Sequence, residues 1–173
     1  QFTATLFGYH GETTLDPTAA FIPDNNCGAP HTATFQPNPR GGTGYGEEFA
    51  AKLHAAWGEA DMPDLMAIVD EAIRLGGIDE QRLGVTGGSY GGIMTNWVIG
   101  HTHSFRAAVT QRCISNMYTK YGTSDIGWFG NKRGMGGRDL WDSESFIMER
   151  SPMRYVPFVK TPLLILHSEQ DYR

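Results

Sequence analysis

The sequence predicts an α/β fold built on a mostly parallel sheet with flanking helices, and three observations point to this class. From residue 61 onward, helical and strand-like segments alternate along the chain, and that order produces parallel strands joined by helices. The strand-like segments are short apolar runs, which are typical of strands covered on both faces. The chain has 173 residues, of which 40% are apolar, enough for one core and not comfortably two.

Two helices are predicted before the first strand. The first covers residues 47–57, where large apolar residues recur every four positions and therefore lie on one helix face. The second begins with Asp61 as its N-cap and Pro63 in its first turn, because both residue types favour helix starts. Its apolar stripe ends at Gly76-Gly77, where a glycine pair stops the helix.

The remaining segments continue the alternation. A Gly-rich turn follows the first strand and leads into a helix, and the last strand is an aliphatic run of the fully buried kind. The Gly-, Trp- and charge-rich residues 115–150 predict only one short helix. In order, the segments are strand Leu83–Thr86, helix Tyr90–Ile99, strand Phe105–Gln111, helix Glu144–Glu149 and strand Leu163–Leu166.

Residues 1–37 differ in character from the rest of the chain. They contain four prolines and scattered Gly, Asn and Thr, and only residues 2–9 and 33–36 have weak strand character. No linker or internal repeat is visible. We therefore expect an atypical N-terminal segment at 1–37 and one α/β domain at 38–173. Because the chain opens with Gln rather than Met and shows no signal peptide, residue 1 is not expected to be the natural start.

Charge and composition exclude several classes of function. Fourteen Lys and Arg against nineteen Asp and Glu give a net charge of −5, so there is no basic footprint for nucleic acid. No apolar run approaches the roughly 20 residues of a membrane helix. Cys27 and Cys113 suggest neither a disulfide framework nor a metal site. We expect no cofactor, no metal, no membrane partner and a reducing, cytoplasmic location.

The Gly-rich turn contains a G-x-S-x-G motif centred on Ser89. Its glycines at 87, 88, 91 and 92 do not fit the dinucleotide pattern, and no lysine lies near enough for a phosphate-binding P-loop. A nucleophile elbow needs small residues around the serine so that strand and helix can approach, and Ser89 has glycine at all four of those positions. The motif predicts Ser89 as a nucleophile, with a purely structural turn as the alternative.

A serine nucleophile needs a base and an acid that orients the base. Asp171 follows the last predicted strand, where a loop at the carboxyl end of a parallel strand would carry it, and Glu169 is a second candidate in that loop. In α/β-hydrolases the histidine follows the acid, yet no histidine follows Asp171. His167 is interpreted as structural, and none of the six histidines stands in the expected position.

Several further motifs stand in register with this turn, and from about residue 38 onward the chain resembles the catalytic domain of the prolyl oligopeptidase family of serine peptidases. The resemblance is strongest to the acylaminoacyl-peptidase and dipeptidyl/oligopeptidyl-peptidase branch. It rests on Asn38-Pro39-Arg40-Gly41-Gly42-Thr43-Gly44-Tyr45-Gly46, Gly87-Gly88-Ser89-Tyr90-Gly91-Gly92, Gln111-Arg112-Cys113-Ile114-Ser115-Asn116, Tyr121-Gly122-Thr123-Ser124-Asp125-Ile126-Gly127 and Leu164-Ile165-Leu166-His167-Ser168-Glu169-Gln170-Asp171-Tyr172-Arg173.

The resemblance implies an α/β-hydrolase fold and hydrolysis of peptide or acyl-aminoacyl bonds through an acyl-enzyme. By motif position it implies Ser89 as nucleophile and Asp171 as orienting acid. The backbone N–H of Tyr90 would be one oxyanion donor. Tyr45 matches a position whose hydroxyl assists the oxyanion in prolyl oligopeptidases proper, whereas in the acylaminoacyl branch a backbone amide of a His-Gly-Gly-Pro turn takes that role and Tyr45 would be a packing residue.

The chain also departs from the family pattern. The His-Gly-Gly-Pro turn of the family is absent, and Cys27-Gly28-Ala29-Pro30-His31 is only a distant echo. The catalytic histidine is expected beyond Arg173, so the chain is expected to be a partial catalytic domain, truncated at its C-terminus and weakly active or inactive by itself.

Several alternatives stay open at this stage. A carboxylesterase would use the same residues, and a hydrolase-like binding domain would use none of them. Residues 146–148 are candidates to line an acyl or side-chain pocket. A peptide or ester is the expected substrate, and assembly into a homo-oligomer is left open.

Overall fold

A computed structural model of the protein describes residues 37–75 and 78–173, and its centre is a three-stranded parallel sheet. The strands β1 (Gly84–Gly88), β2 (Ala107–Gln111) and β3 (Leu163–Leu166) lie side by side in that order. Gly88 pairs with Gln111, and Gln111 pairs with Leu166. The residues that follow the three strands therefore emerge together at the carboxyl ends of the strands, which form one edge of the sheet.

Six α-helices lie around this sheet in the described part of the chain. They are α1 (Glu47–Ala51), α2 (Asp61–Leu75), α3 (Tyr90–His101), α4 (Met117–Thr123), α5 (Gly127–Gly134) and α6 (Leu140–Glu149), with 3₁₀ turns at Glu80–Arg82 and Pro152–Phe158.

Helix α3 separates two apolar clusters. Nine of its twelve residues are buried, so it contacts protein on nearly every side. Burial of each large aliphatic side chain contributes about 1.5–3 kcal/mol. The cluster toward α2 and the sheet includes Leu65, Val69, Val85, Val98, Phe105 and Ala108, and the cluster toward α4–α6 consists of Ile93, Met117, Met135, Leu140 and Ile147.

The prediction of a helix over residues 47–57 was wrong in its length, because α1 ends at Ala51. The backbone of Ala55 has a positive φ of 61°, and its N–H donates to the carbonyl of Gly134 at 3.0 Å. A contact with a distant segment thus replaces the hydrogen bond that would have continued the helix. Trp57, predicted on the same helical face, instead packs its ring against Tyr90.

The segment 115–150 is more helical than predicted, because α4, α5 and α6 all fall within it. Asn116 caps α4 by accepting from the N–H groups of Tyr118 and Thr119. Asp139 and Asp142 form a capping box at the start of α6. These caps set the helix starts in a stretch whose glycines dilute the apolar periodicity, which explains why only residues 144–149 were predicted.

The other elements match the predictions with shifted ends. Strand β1 runs on to Gly88 because its glycines pair with β2. Strand β2 begins at Ala107, two residues later than predicted, and α3 extends to His101. The predictions for residues 1–36 and for Gly76-Gly77 fall outside the described residues, so the domain boundary at 37 stays a prediction.

Strand β3 contradicts the prediction of a fully buried strand. The side chains of Leu164, Ile165 and Leu166 are exposed, with Ile165 at 62%. Within residues 37–75 and 78–173, β3 pairs with β2 alone, so one edge and much of its surface face outward. An aliphatic, unpaired sheet edge favours pairing with another chain.

Replacement of Ile165 by Lys is expected to reduce self-association of the 173-residue chain, because a charged edge strand pairs poorly. Light scattering and sedimentation should show a smaller particle with an unchanged Tm. Val156→Lys is the matched control, since Val156 is 58% exposed but lies away from the sheet edge. An equal effect of both variants would show that general surface charge, not the edge, is responsible.

The Gly-rich loop before α1 is held to α2 by Arg40 and Asp64. The Arg40 guanidinium bonds both Asp64 carboxylate oxygens at 2.8–3.0 Å, and the Arg40 backbone N–H donates to Oδ2 at 2.8 Å. Burial alone would raise the pKa of Asp64, but the hydrogen bonds and charge of Arg40 outweigh it and hold that pKa below its usual value.

Asp64→Asn is therefore expected to lower stability in a pH-dependent way. A lowered folded-state pKa contributes stability above the usual Asp pKa of about 3.9, and this stability is lost as the pH falls through the folded pKa. The Tm deficit of the variant should be full at pH 7, should shrink as the pH falls below about 4, and should disappear below the folded-state pKa of Asp64. Asp70→Asn, on the exposed face of the same helix, serves as the control, and a pH-independent deficit would contradict the assignment.

Candidate active site

Ser89 occupies a strained turn between β1 and α3. Its backbone has φ 57° and ψ −121°, a conformation that costs a non-glycine residue about 1–3 kcal/mol. Its N–H donates to the Gln111 carbonyl at 3.0 Å, and its carbonyl accepts from the Ile93 N–H at 3.0 Å. These two bonds fix the strained residue between the neighbouring strand and the following helix.

The side chain of Ser89 distinguishes an elbow from an ordinary helix start. A capping serine has an extended backbone and bonds an N–H of the first helical turn, whereas Ser89 has a positive φ and makes no side-chain capping bond. Ser89 is also exposed. Its hydroxyl is consequently not used to cap α3, and it lies at the helix N-terminus, above the carboxyl edge of the sheet.

Gly92 permits the close approach that this turn needs. A Cβ at this position would lie 2.5 Å from Cβ of Cys113 and 3.0 Å from the Gln111 carbonyl oxygen. The 2.5 Å separation is shorter than real Cβ contacts, and 3.0 Å is tighter than most of them, so any larger residue would push α3 away from the end of β2. The prediction that small residues are needed around the serine is confirmed at this position.

Asp171 lies in the loop after β3, as predicted. Its carboxylate Oδ1 accepts from the Arg173 N–H at 3.0 Å, and only 18% of its side chain is exposed. The loop is attached to the α4–α5 junction, because Asp125 bonds the Arg173 guanidinium at 2.8 Å and its N–H donates to the Tyr172 carbonyl. Glu169, the other candidate acid, is exposed. The Asp171 side chain is thus more buried than that of Glu169, and the role of Asp171 as orienting acid stays a prediction.

Neither His167 nor His101 lies beside Ser89. His167 Nε2 is 3.5 Å from Asp171 Oδ2, but β3 is two strands from β1, a lateral distance of about 10 Å. His101 lies at the far end of α3, where Nδ1 contacts the Trp97 carbonyl at 2.7 Å and the ring stacks on Trp97. His10 and His31 fall outside the described residues.

A cavity of about 160 Å³ adjoins the Asp171 loop. It lies between the end of β2, helix α4 and the segment after β3. Its lining includes Cys113, Ser115, Lys120, His167 and Asp171.

Tyr45 and Ile147 each pack against other residues in the described part of the chain. The ring of Tyr45 is half exposed and packs against Phe49, with centroids 5.1 Å apart. Ile147 is fully buried in the same apolar cluster as Ile93, the residue one turn into α3. The oxyanion role of Tyr45 and the acyl pocket at 146–148 stay predictions.

The buried contact between Asp61 and Tyr90 was not predicted from the sequence. The Tyr90 hydroxyl donates to Asp61 Oδ2 at 2.6 Å, and Asp61 is 0% exposed. Burial raises the pKa of Asp61, although its hydrogen bonds oppose that shift. Burial and the Asp61 charge raise the pKa of Tyr90 far above its usual value, so its hydroxyl keeps its proton.

Asp61 is therefore not the simple N-cap that was predicted. It is the first residue of α2, and its Oδ1 accepts from Gly58 N–H at 2.8 Å and Met62 N–H at 3.1 Å. An Asp at a helix start, two residues before a proline, matches the capping pattern, so nothing in the sequence indicated its long-range partner.

The described residues contain no helix with the length and apolarity to cross a membrane. Within the same residues, no three His, Cys, Asp or Glu side chains come together as metal ligands would. The cytoplasmic location stays a prediction.

Comparison with known proteins gives consistent relationships. Residues 30–173 match the prolyl oligopeptidase family. The chain is 50% identical over 137 residues to uncharacterized peptidase YuxL of Bacillus subtilis (strain 168), covering 79% of this chain and 21% of that protein. It is 34% identical over 143 residues to the acylamino-acid-releasing enzyme of Arabidopsis thaliana, covering 79% and 19%.

The fold comparison agrees with the sequence relationships. The chain superposes on the Pyrococcus horikoshii acylaminoacyl peptidase with a TM-score of 0.78 and 37% identity, over 82% of this chain and 23% of that one. This likeness, together with the parallel sheet and the strained serine turn, defines the α/β-hydrolase fold.

Within that class, the chain belongs to the prolyl oligopeptidase family of serine peptidases. The predicted fold and family are thus confirmed. The chain spans about a fifth of the length of the curated relatives that it matches.

Proposed function

We propose that Ser89 is the nucleophile of a serine hydrolase that cleaves peptide or acyl-aminoacyl bonds. The observation that carries this proposal is the strained backbone of Ser89 at the N-terminus of α3, combined with a hydroxyl that does not cap the helix. A structural turn would gain nothing from this strain, whereas a nucleophile elbow uses it to present the hydroxyl.

The proposed reaction is acyl transfer through Ser89. A histidine takes the hydroxyl proton as Oγ attacks the substrate carbonyl, and it then donates that proton to the leaving amine as the scissile bond breaks. Water, deprotonated by the same histidine, attacks the acyl-enzyme and releases the acid. Asp171 orients the histidine and stabilises its charged form. Because β3 places His167 two strands from Ser89, we propose that the base comes from polypeptide outside this sequence.

The developing oxyanion needs preorganised donors. Tyr90 is the first residue of α3, so its N–H has no partner one turn earlier and is available to the substrate. The dipole of α3 favours negative charge at the same end. Tyr45 is proposed as the second donor on the basis of the family motif alone.

The substrate class is proposed from the names of the relatives. Those names include acylamino-acid-releasing enzyme and dipeptidyl-peptidase 5, so a short or N-acylated peptide is the first candidate. A carboxylesterase is the second candidate, since the same residues would cleave an ester. A hydrolase-like binding domain would turn over neither kind of substrate.

Ser89→Ala, made in the protein encoded by the complete reading frame, is expected to lower kcat/KM for an N-acetyl-aminoacyl p-nitroanilide by about 10⁴-fold or more. Ser104→Ala is the control, because Ser104 is exposed and, among the described residues, hydrogen-bonds locally to Thr102. Retained turnover in Ser89→Ala would overturn the nucleophile. Turnover of a p-nitrophenyl ester without the anilide would instead support the carboxylesterase.

Asp171→Asn is expected to lower kcat by about 10⁴-fold, because the base loses the carboxylate that fixes its tautomer. Glu169→Gln and His167→Gln are expected to keep near-normal kcat, measured with the same anilide. A loss in Glu169→Gln alone would move the acid to Glu169. A loss in His167→Gln as large as that in Asp171→Asn would make His167 the base and contradict a base outside this sequence.

A further inference from the structure

The residue after the proposed nucleophile is anchored by its side chain. Tyr90 supplies the proposed oxyanion N–H from its backbone, while its hydroxyl reaches across to α2 and donates to Asp61 at 2.6 Å. Its ring meets the Trp57 ring edge-on, with centroids 5.1 Å apart. The side chain therefore has one polar and one aromatic contact that together restrict its rotamer.

Both carboxylate oxygens of Asp61 accept hydrogen bonds. Its carboxylate is removed from solvent and receives three donors, namely the N–H groups of Gly58 and Met62 and the Tyr90 hydroxyl. A buried carboxylate is costly unless its oxygens are hydrogen-bonded, and this one faces only donors. Loss of the Tyr90 hydroxyl would leave Oδ2 without the partner that the structure gives it.

The turn before α2, which contains Gly58, contacts α3 at a second point. Gly58 has a φ of 82°, and a Cβ there would lie 2.3 Å from the Trp97 ring. The backbone of this turn thus rests on the aromatic face of Trp97, about two helical turns beyond Tyr90. With contacts to Tyr90 at one end and Trp97 at the other, the turn before α2 holds α3 in a fixed position.

We propose that Asp61 is a positioning residue. It acts through the Tyr90 hydroxyl to hold the Tyr90 N–H in a fixed orientation relative to the Ser89 hydroxyl. This inference rests on the proposed function of Ser89. The Tyr90 N–H belongs to the peptide unit that joins Ser89 to Tyr90, whereas Oγ is carried by the Ser89 side chain. Any rotation of that peptide unit therefore moves the N–H relative to Oγ. Ser89 itself is strained and would relax if its neighbour were released, and the anchor opposes that relaxation.

Loss of this anchor is expected to affect catalysis more than substrate binding. The oxyanion forms only as the reaction proceeds, so a displaced N–H weakens the transition state more than the bound substrate. Tyr90→Phe keeps the ring against Trp57 and removes only the hydroxyl. It is expected to lower kcat about 10-fold or more with little change in KM, less than the 10²–10³-fold loss caused by removal of a whole oxyanion donor.

The experiment uses the protein from the complete reading frame and normalises kcat to the number of sites titrated by a fluorophosphonate. Four proteins form a double-mutant cycle: wild type, Asp61→Asn, Tyr90→Phe and the double variant. Asp61→Asn is expected to lower kcat several-fold on its own and to have no further effect when Tyr90→Phe is present, because it acts through that hydroxyl. If Tyr90→Phe folds poorly, Asp61→Asn still tests the proposal, because it preserves the shape of the Asp61 side chain.

Tyr155→Phe is the matched control. The Tyr155 hydroxyl also makes a single hydrogen bond, to the Glu149 carbonyl at 2.8 Å, and its ring packs near the far end of α3. It is expected to keep kcat per titrated site. A lower titratable fraction with unchanged kcat per site in Tyr90→Phe, or additive effects in the cycle, would overturn the positioning role.

If Ser89 is not the nucleophile, the same experiment gives a different result. A wild-type protein that is not titrated by the probe, or whose Ser89→Ala variant is still titrated, would overturn both claims. A wild type that is titrated and active beside a fully active Tyr90→Phe would overturn the positioning role alone and leave Ser89 in place.

Discussion

The backbone conformation of Ser89 is the constraint on which the rest of the site depends. A non-glycine residue at φ 57° and ψ −121° persists only when its surroundings hold it there. The hydrogen bond from Ser89 N–H to the Gln111 carbonyl ties it to β2, and the bond from Ile93 N–H ties it to α3. The roughly 1–3 kcal/mol of strain is thereby offset by contacts on both sides.

Contacts farther from the turn also help to hold Ser89 in this conformation. Helix α3 is held between two apolar clusters, and its start is further anchored by the Tyr90–Asp61 hydrogen bond. The short approach between Gly92 and Cys113 sets how closely the helix follows β2. The parallel register then brings the end of β3, and the Asp171 loop after it, to the edge at which Ser89 lies.

Much of this arrangement could be predicted from sequence because its signals are local. The aliphatic run of β3, the glycines around Ser89 and the apolar stripe of α2 each report a nearby backbone geometry. The order of strands and helices then places Ser89 and Asp171 in loops at the carboxyl ends of parallel strands.

What the sequence did not predict depends on contacts between distant residues. Asp61 and Tyr90 are 29 positions apart, and the first looks like an ordinary helix cap. The end of α1 depends on a bond from Ala55 to Gly134. The exposure of Leu164 and its neighbours follows from which strands pair, whereas the aliphatic composition of β3 reports only strand propensity.

The central claim is that the strained turn makes Ser89 a nucleophile, and peptide mapping of a covalent adduct tests it most directly. The protein from the complete reading frame would be treated with a fluorophosphonate, digested and analysed by mass spectrometry. The elbow geometry predicts one adduct per chain, on Ser89 of the peptide that contains Gly87-Gly88-Ser89-Tyr90-Gly91. An adduct on another serine, or an unmodified Ser89 in a folded protein, would contradict it.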